Sequence, residues 1–348
     1  MSKPKLLMLH DNLAKPAMDM LRNRFHIEIC KTSYVESIPT AQDIIDCIPG
    51  SFGLFCSSSV IISEDVLKAA GPNFKVIGAM SVGYDHIDLS LLKKYGIRLG
   101  NTLGVPTEAI AELTIGLLIA TARRFQETNR ELKTGGWKRW TPDWFLGLGL
   151  AKSTVGIIGY GNIGASVAEK LGCFKISELL YYSRSEKPAA KALGGKLVSV
   201  DELVKRSDYI IIAIALNKDT EFIMNRDRIF SMKPTAVLVN IGRGKLVDQD
   251  ALTEALQQKR ISGAGLDVMT PEPLPLDDPL MKLDNCILLP HIGSSTFETR
   301  ASMAVLTAKN ILAVLDNIPM PNEWQHCIME KCLVKHDGVH FYVNFSIH

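Results

Sequence analysis

Val155-Gly-Ile-Ile-Gly159-Tyr-Gly161-Asn-Ile-Gly164 joins a short apolar run to three closely spaced glycines. The apolar run predicts a strand over 154–158, and the residues after Gly161 predict a helix that begins directly behind it. Gly159 permits a tight turn, Gly161 lets the backbone approach a pyrophosphate, and Gly164 allows the helix to pack closely on the strand. The pattern therefore predicts a dinucleotide site at the helix N-terminus, around the amides of Asn162 and Ile163. The alternative is a glycine-rich turn without a ligand.

Short apolar runs alternate with amphipathic stretches on both sides of this segment, over 5–100 and over 154–290. Alternation of this kind predicts parallel strands with helices on both faces of the sheet. We therefore expect an α/β protein with two Rossmann-like or flavodoxin-like domains and an active site in the cleft between them. A length of 348 residues fits two domains.

The domain boundaries are predicted from two crossings of the chain. Gly104-Val105-Pro106 interrupts the alternation and precedes a long apolar helix, which marks the first crossing. A helix over 298–315, with an apolar stripe at Met303, Leu306, Ile311 and Val314, is expected to cross back and cover the first sheet. The predicted domains are a substrate-binding domain over 1–104 and 297–323 and a nucleotide-binding domain over 105–296. Residues 324–348 are predicted to be a poorly ordered extension.

The composition excludes several classes of protein. Hydrophobic residues make up 47% and charged residues 22% of the chain, and the net charge is +2. So small a charge does not favour binding to nucleic acid or to an acidic membrane surface, and no apolar run reaches the roughly 20 residues of a membrane span. The seven cysteines are scattered without metal-ligand spacing. We expect a cytoplasmic protein with reduced thiols and no metal site.

The end of the second strand of the nucleotide-binding domain distinguishes between two cofactors. NAD-binding domains usually place an acidic residue there to bind the ribose 2′-hydroxyl. This chain reads Tyr181-Tyr182-Ser183-Arg184-Ser185, with no carboxylate at the tip. Arg184 can pair with a 2′-phosphate, and Ser183 and Ser185 can donate hydrogen bonds to it. We expect NADPH, with NADH as the weaker cofactor; the alternative is a solvated surface arginine.

Three polar segments follow predicted apolar strands of the second domain. They are Asn240-Ile-Gly-Arg243-Gly244, Gly265-Leu-Asp267-Val-Met-Thr-Pro-Glu272-Pro273 and Leu289-Pro290-His291-Ile-Gly293-Ser294. Because ligands of open α/β sheets bind outside the carboxyl ends of the strands, we expect the segments to meet at one edge. A guanidinium, a carboxylate and an imidazole together are the groups that reduction of a ketone needs. The alternatives are a structural ion pair of Arg243 with Glu272 and a structural role for His291.

At these segments and at Ser81-Val82-Gly83-Tyr-Asp-His-Ile-Asp88 the sequence resembles the D-isomer-specific 2-hydroxyacid dehydrogenases. The resemblance extends from Lys5 to about Glu323 and is closest to the animal branch that reduces glyoxylate and hydroxypyruvate. The motifs shared with that branch are Gly135-Gly136-Trp137, the neighbourhood of Trp140, Pro271-Glu-Pro-Leu-Pro275 and Pro290-His-Ile-Gly-Ser294. One departure lies after the fourth strand of the second domain, where many members have His-x-Pro and this chain reads Ala213-Ile-Ala215-Leu-Asn217.

The resemblance implies an NADPH-dependent reduction of small 2-oxo acids to D-2-hydroxy acids. Arg243 is expected to hold the substrate carboxylate and to polarise the 2-oxo group. His291 is expected to be the general acid, and Glu272 to hydrogen-bond the imidazole and stabilise its protonated form.

Further contacts are implied in the same way. The amides of Val82 and Gly83 are expected to bind the substrate carboxylate from the first domain. Asp267 is expected to contact the nicotinamide side, and Gly293 and Ser294 are expected to line the substrate pocket, with Gly293 also in contact with the cofactor. Ala215 and Ile241 are expected to contact the cofactor.

Trp140 matches an aromatic residue that, in the related branch, reaches over the active site of the partner subunit. A homodimer is therefore expected, and dimer packing alone is the alternative role for Trp140, because interfaces favour tryptophan.

Two rival functions remain: a dinucleotide-sensing corepressor-like scaffold on the same fold, and a sibling dehydrogenase with another substrate. Asp85 and Asp88 are expected at a helix N-terminus. His10, His26 and His86 are expected to be packing or surface residues.

Overall fold

The first hundred residues form a parallel sheet of five strands in the order β2-β1-β3-β4-β5. This computed structural model describes residues 2–30, 39–58 and 60–324, and the backbone of two short strands in the tail. The chain order reverses between β1 and β3, as in flavodoxin-like sheets. The elements are β1 (Lys5–Met8), α1 (Lys15–Arg24), β2 (His26–Ile29), α2 (Ala41–Cys47), β3 (Ser51–Cys56), α3 (Glu64–Ala70), β4 (Val76–Ala79), α4 (Leu89–Tyr95) and β5 (Arg98–Gly100).

Two helices, α5 (Thr107–Ala122) and α6 (Phe125–Lys133), lead to a second parallel sheet of seven strands. Its order is β12-β11-β10-β9-β6-β7-β8, so the order reverses between β6 and β9, where the glycine-rich turn lies. The elements are β6 (Thr154–Ile158), α7 (Asn162–Gly172), β7 (Glu178–Tyr182), α8 (Pro188–Ala192), β8 (Lys196–Leu197), α9 (Val200–Arg206), β9 (Tyr209–Ile212), α10 (Arg226–Ser231), β10 (Val237–Asn240), α11 (Gln249–Gln257), β11 (Gly263–Leu266), β12 (Cys286–Leu288) and α12 (Phe297–Leu315). The predicted α/β class with two parallel sheets is confirmed.

Helix α12 follows the second sheet but packs on the first one, against α1 and β4. Its buried face consists mainly of small side chains, so the predicted stripe is only partly right: Leu306 and Val314 are half-buried. Small residues suit this helix because β4 and β5 present glycines to it. A Cβ on Gly78 would lie 2.6 Å from Ile311, and one on Gly100 would lie 2.5 Å from Asn310.

These contacts support the predicted division into 1–104 with 297–323 and 105–296, which we keep as a proposal. Helix α5 packs on α7 and on the second sheet, as expected for a helix after the first crossing. The chain after α12 returns to the first sheet, where the Trp324 amide donates to the carbonyl of Leu99 at 2.8 Å. The described chain thus contacts the first sheet as far as Trp324.

The tail contains two strands that pair in antiparallel fashion, β13 (Val334–His336) and β14 (Val339–Phe341). The prediction of poor order for the rest of the tail concerns 325–333, 337–338 and 342–348, which lie outside the described residues. Across the described part of the chain, no helix combines the length and the apolar character that a bilayer crossing demands.

We expect Gly78→Ala to weaken the docking of α12 on β4, because the new Cβ would overlap Ile311 and Thr307. Overpacking of this kind costs about 1–3 kcal/mol of unfolding free energy. Urea unfolding followed by circular dichroism measures the loss. Gly172→Ala is the matched control, since no atom lies within 4 Å of its new Cβ. Equal stability of the two variants would show that α12 does not depend on this contact.

Candidate active site

The glycine-rich turn after β6 has the geometry that a dinucleotide site needs. Gly159 has φ +99°, and a Cβ there would lie 2.6 Å from the backbone of Ile214. A Cβ on Gly164 would overlap the carbonyl oxygen of Gly159, which confirms its role in close packing of α7 on β6. Gly161 instead faces open space, with no atom within 4 Å of its ideal Cβ. No side chain caps α7, and no acidic residue lies in its first turn, so its N-terminus is suited to an anion.

The tip of β7 carries Ser183, Arg184 and Ser185, as predicted. Arg184 and Ser185 are exposed, and no carboxylate among the described residues forms an ion pair with Arg184. The Ser183 hydroxyl donates to the carbonyl of Ser185, which folds the tip into a turn. No acidic side chain lies at 183–185 itself, and the exposed Glu186 follows directly.

Arg243 lies three residues after β10, in a loop that the side chain of Asn240 organises. The Asn240 amide donates to the carbonyl of Arg243 at 2.9 Å and accepts from the amide of Gly242 at 3.0 Å. A Cβ on Gly244 would overlap the carbonyl of Met269, so glycine allows this loop to touch the segment that carries Glu272.

Glu272 and His291 are brought together by the loops after β11 and β12. The Nδ1 atom of His291 lies 2.8 Å from Oε2 of Glu272, and the Met269 amide donates to Oε1 at 3.0 Å. Burial raises the pKa of Glu272, but the hydrogen bond and charge of His291, the Met269 amide and the charge of Arg243 outweigh it, and the pKa is lowered. The carboxylate is thus ionised at neutral pH and positioned beside the imidazole.

Asp267 fixes the backbone around His291. Its carboxylate, only 2% exposed, accepts from the amides of Ile292 at 2.7 Å and Gly293 at 2.8 Å. Burial raises the pKa of Asp267, and these two hydrogen bonds oppose the rise. His291 itself has φ +55°, a strained conformation for a non-glycine residue that the surrounding bonds maintain. The contact of Asp267 with the nicotinamide side stays a prediction.

The loop after β4 approaches this group from the first sheet. The Ser81 hydroxyl donates to the carbonyl of Gly83 at 2.8 Å, and the Asn101 amide donates to that of Val82 at 3.2 Å. No acceptor among the described residues takes the amide hydrogens of Val82 or Gly83. The guanidinium of Arg243 occupies the space that a Cβ on Gly83 would need, so the two sheets meet here.

Contacts between neighbouring loops link the two ends of the site. Ile214 touches the turn at Gly159, and its carbonyl oxygen would lie 3.0 Å from a Cβ on Gly242. Ala215 is exposed in this same loop, and its carbonyl accepts from the Thr220 hydroxyl at 2.8 Å. Ile241 is buried directly after β10. The loops that carry the predicted cofactor and substrate contacts therefore form a continuous surface at the carboxyl ends of the strands.

Trp140 lies in the loop after α6. Its side chain is 75% exposed. The neighbouring Trp137 and Trp144 stack with centroids 6.1 Å apart and line an open cavity of about 710 Å³ together with Phe125 and Leu132. The reach of Trp140 into a partner's site stays a prediction.

Two contacts of the site were missed by sequence reasoning. Asp88 caps α4 as expected, but the expectation for Asp85 is wrong: its carboxylate accepts from Nε of Arg243 at 3.0 and 3.2 Å. Arg243 forms no ion pair with Glu272 among the described residues, so that alternative is not seen. Gln249 holds the Glu272 segment by bonding both the carbonyl and the amide of Thr270 at 2.9 Å.

His86 is buried beside this ion pair, with 5% of its surface exposed. Neither ring nitrogen has a hydrogen-bond partner among the described residues. Burial lowers the pKa of His86 to about 4, with the charge of Asp85 opposing and that of Arg243 adding to the effect. The prediction that His86 is a packing residue fits this position.

The chain matches a family profile described as the D-isomer specific 2-hydroxyacid dehydrogenase, NAD binding domain, over residues 115–293. It is 47% identical over 289 residues to the human glyoxylate reductase/hydroxypyruvate reductase, which covers 83% of this chain and 88% of that protein. No group of three or more His, Cys, Asp or Glu side chains suited to a metal occurs among the residues described.

Solved structures with this fold include the TT0316 protein from Thermus thermophilus. The TM-score is 0.84 at 38% identity, over 92% of this chain and 99% of that one. An NADPH-dependent glyoxylate/hydroxypyruvate reductase from Sinorhizobium meliloti, in complex with NADP and malonate, has a TM-score of 0.81 at 28% identity. It covers 93% of this chain and 97% of its own.

We expect the buried histidine to make the fold sensitive to acid. An unfolded histidine binds a proton near pH 6.5, whereas folded His86 binds one only near pH 4. Between these values the unfolded state holds more protons, so stability falls as the pH drops, by up to about 3 kcal/mol. Denaturant unfolding between pH 7 and 4 should show that His86→Leu removes this loss and that His26→Gln, at an exposed position, does not. An unchanged acid sensitivity of His86→Leu would contradict the assignment.

Proposed function

Because the chain belongs to the D-isomer specific 2-hydroxyacid dehydrogenase family, we propose that it reduces small 2-oxo acids with NADPH. Hydroxypyruvate would give D-glycerate, and glyoxylate would give glycolate. The observation that carries this proposal is the meeting of Arg243 with the loop of Val82 and Gly83, next to the hydrogen-bonded pair Glu272–His291. At that place the protein can bind a substrate carboxylate, polarise the neighbouring carbonyl and supply a proton to its oxygen.

Arg243 binds the substrate carboxylate in this proposal. A guanidinium offers two parallel N–H groups to the two oxygens of a carboxylate. The amides of Val82 and Gly83 complete the binding from the opposite side, because no protein acceptor among the described residues takes their hydrogens. A guanidinium beside the 2-oxo group also stabilises the negative charge that grows on its oxygen during reduction.

His291 donates the proton. Its Nδ1 atom faces Glu272, which leaves Nε2 to face the substrate oxygen. The hydrogen bond to the Glu272 carboxylate fixes the orientation of the ring. When bound, the cofactor would supply a hydride to C2, and the face of C2 that receives it would set the D configuration. His291 would give its proton to the carbonyl oxygen, which becomes the hydroxyl group.

The cofactor is held by the turn at Gly159–Gly164 and by the tip of β7. The open space at Gly161 and the uncapped N-terminus of α7 fit a pyrophosphate. Arg184 and the Ser185 hydroxyl fit a 2′-phosphate, which supports NADPH over NADH. In keeping with this choice, the related Sinorhizobium meliloti enzyme is described as NADPH-dependent.

An activity panel tests the proposal directly. We expect turnover of hydroxypyruvate and glyoxylate that exceeds turnover of pyruvate, and kcat/KM at least about tenfold higher with NADPH than with NADH, a ratio equal to about 1.4 kcal/mol. Arg184→Glu should reverse the cofactor preference, because a carboxylate repels the 2′-phosphate. Lys191→Glu on α8 is the control for a nearby change of charge and should leave the preference intact. Absence of turnover with every pair would refute the proposal and favour a scaffold function.

Arg243→Lys tests the role of the guanidinium. An ammonium cannot reproduce the planar two-point contact, so kcat/KM for hydroxypyruvate should fall about 100-fold or more. Arg226→Lys is the matched control, since Arg226 forms a two-point contact with Glu254 at 2.6 and 2.7 Å outside the site. Near-normal kinetics of Arg243→Lys would show that this residue does not bind the carboxylate.

We also propose that two copies of the chain associate through the surface around α6. Phe125, Leu132 and Trp137 are each more than half exposed there and border the open cavity. Apolar patches of this kind on a soluble surface are typical of protein interfaces. This arrangement would place the loop of Trp140 near the partner subunit.

We expect Leu132→Glu to dissociate the dimer, because it introduces a charge into the apolar surface. Light scattering after gel filtration should give twice 38.3 kDa for the wild-type chain and a single chain mass for the variant. Leu193→Glu, at an exposed apolar residue next to α8, should keep the wild-type mass. A wild-type mass of one chain would contradict the proposed dimer.

A further inference from the structure

The guanidinium of Arg243 is held by a carboxylate from the other sheet. Nε of Arg243 donates to Oδ1 of Asp85 at 3.0 Å and to Oδ2 at 3.2 Å. Asp85 lies after β4, whereas Arg243 lies after β10, so this bond connects the two halves of the site. Both side chains are partly exposed, with 22% of the Arg243 side chain and 28% of the Asp85 side chain accessible.

The remaining donors of Arg243 are left for a ligand. A guanidinium has five N–H groups, and one of those on Nη1 donates to the carbonyl of Gly242 at 2.9 Å. The other hydrogens on Nη1 and Nη2 meet no acceptor among the residues that the structure describes. Asp85 therefore occupies the Nε edge, and the edge formed by Nη1 and Nη2 is available for two-point binding of a carboxylate.

The position of this available edge depends on Asp85. Nη2 lies against Gly83, in the space of an ideal Cβ, and Oδ1 of Asp85 lies 2.8 Å from the same point. The carboxylate thus draws the guanidinium toward the loop whose amides at Val82 and Gly83 have no acceptor among the described residues. Arginine has many rotamers, so a fixed partner on one edge reduces the entropy lost when a substrate binds to the other.

We propose that Asp85 is a positioning residue for the reduction: it orients Arg243 toward the substrate carboxylate and joins the two sheets around the substrate. This inference rests on the proposed function. The alternative is competition, in which the Asp85 carboxylate would occupy the position of the substrate carboxylate on Arg243 and would be displaced when the substrate binds. The geometry favours positioning, because Asp85 contacts Nε, while Nη2 lies against the Gly83 loop with no acceptor among the described residues.

Asp85→Asn tests the inference, since it removes the charge and keeps the shape. We expect kcat/KM for hydroxypyruvate to fall at least tenfold, with a higher KM and a lower kcat. Binding of oxamate to the NADPH-loaded enzyme should weaken in parallel. Asp201→Asn is the matched control, because Asp201 accepts from Nε of Arg228 at 2.7 Å outside the site. The control should keep wild-type kinetics.

A double-mutant cycle distinguishes positioning from a general structural effect. In an Arg243→Ala background, Asp85→Asn should change kcat/KM and oxamate affinity less than twofold, because the group on which Asp85 acts is gone. An equal loss in both backgrounds would overturn the inference, and so would a lower KM for Asp85→Asn, which indicates competition. Should Asp85→Asn fail to fold, Asp85→Ser, which also removes the charge, replaces it with the same criteria. Failure of the proposed function is seen separately, as wild-type enzyme that reduces no 2-oxo acid and binds no oxamate.

Discussion

The carboxylate of Glu272 is the group on which the arrangement of the site depends. One of its oxygens accepts from the Met269 amide and the other lies 2.8 Å from Nδ1 of His291. A lowered pKa keeps this carboxylate charged at neutral pH, despite the burial that opposes ionisation. The same segment is touched by the Arg243 loop, since only glycine at position 244 allows that approach. One fixed negative charge thereby positions the imidazole of His291 and lies close enough to Arg243 to feel its charge.

Parallel sheets make this arrangement possible. The loops that carry Arg243, Glu272 and His291 follow three neighbouring strands, β10, β11 and β12, and all three open at the same edge. The first sheet contributes the loop after β4, and α12 returns to that sheet to cover it. Glycine allows two close contacts with the first sheet: α12 lies against Gly78, and the guanidinium of Arg243 lies against Gly83. Substitutions at these packing positions can therefore alter the geometry of the site.

Much of the fold was predictable because parallel strands are continuous apolar runs; the strand over 154–158 was placed to the residue. The position of Arg243, Glu272 and His291 at one edge of the sheet was predictable because each follows such a run. The contact of Asp85 with Arg243 was not predictable. A carboxylate before a helix has the same local pattern whether it caps the helix or pairs with a residue 158 positions away. The buried face of α12 was predicted only in part, since its alanines and threonine lack the apolar signal of larger side chains. Long-range pairing and close packing of small residues leave little trace in local sequence.

The proposed reaction delivers hydride to one face of C2 of a 2-oxo acid, while His291 protonates the oxygen. Deuterium transfer from the two C4-deuterated isomers of NADPH, used in turn with hydroxypyruvate as substrate, tests this step. We expect one isomer alone to give glycerate with one deuterium at C2, and this glycerate to have the D configuration. Product of L configuration, or product without deuterium from both isomers, would show that this step is wrong.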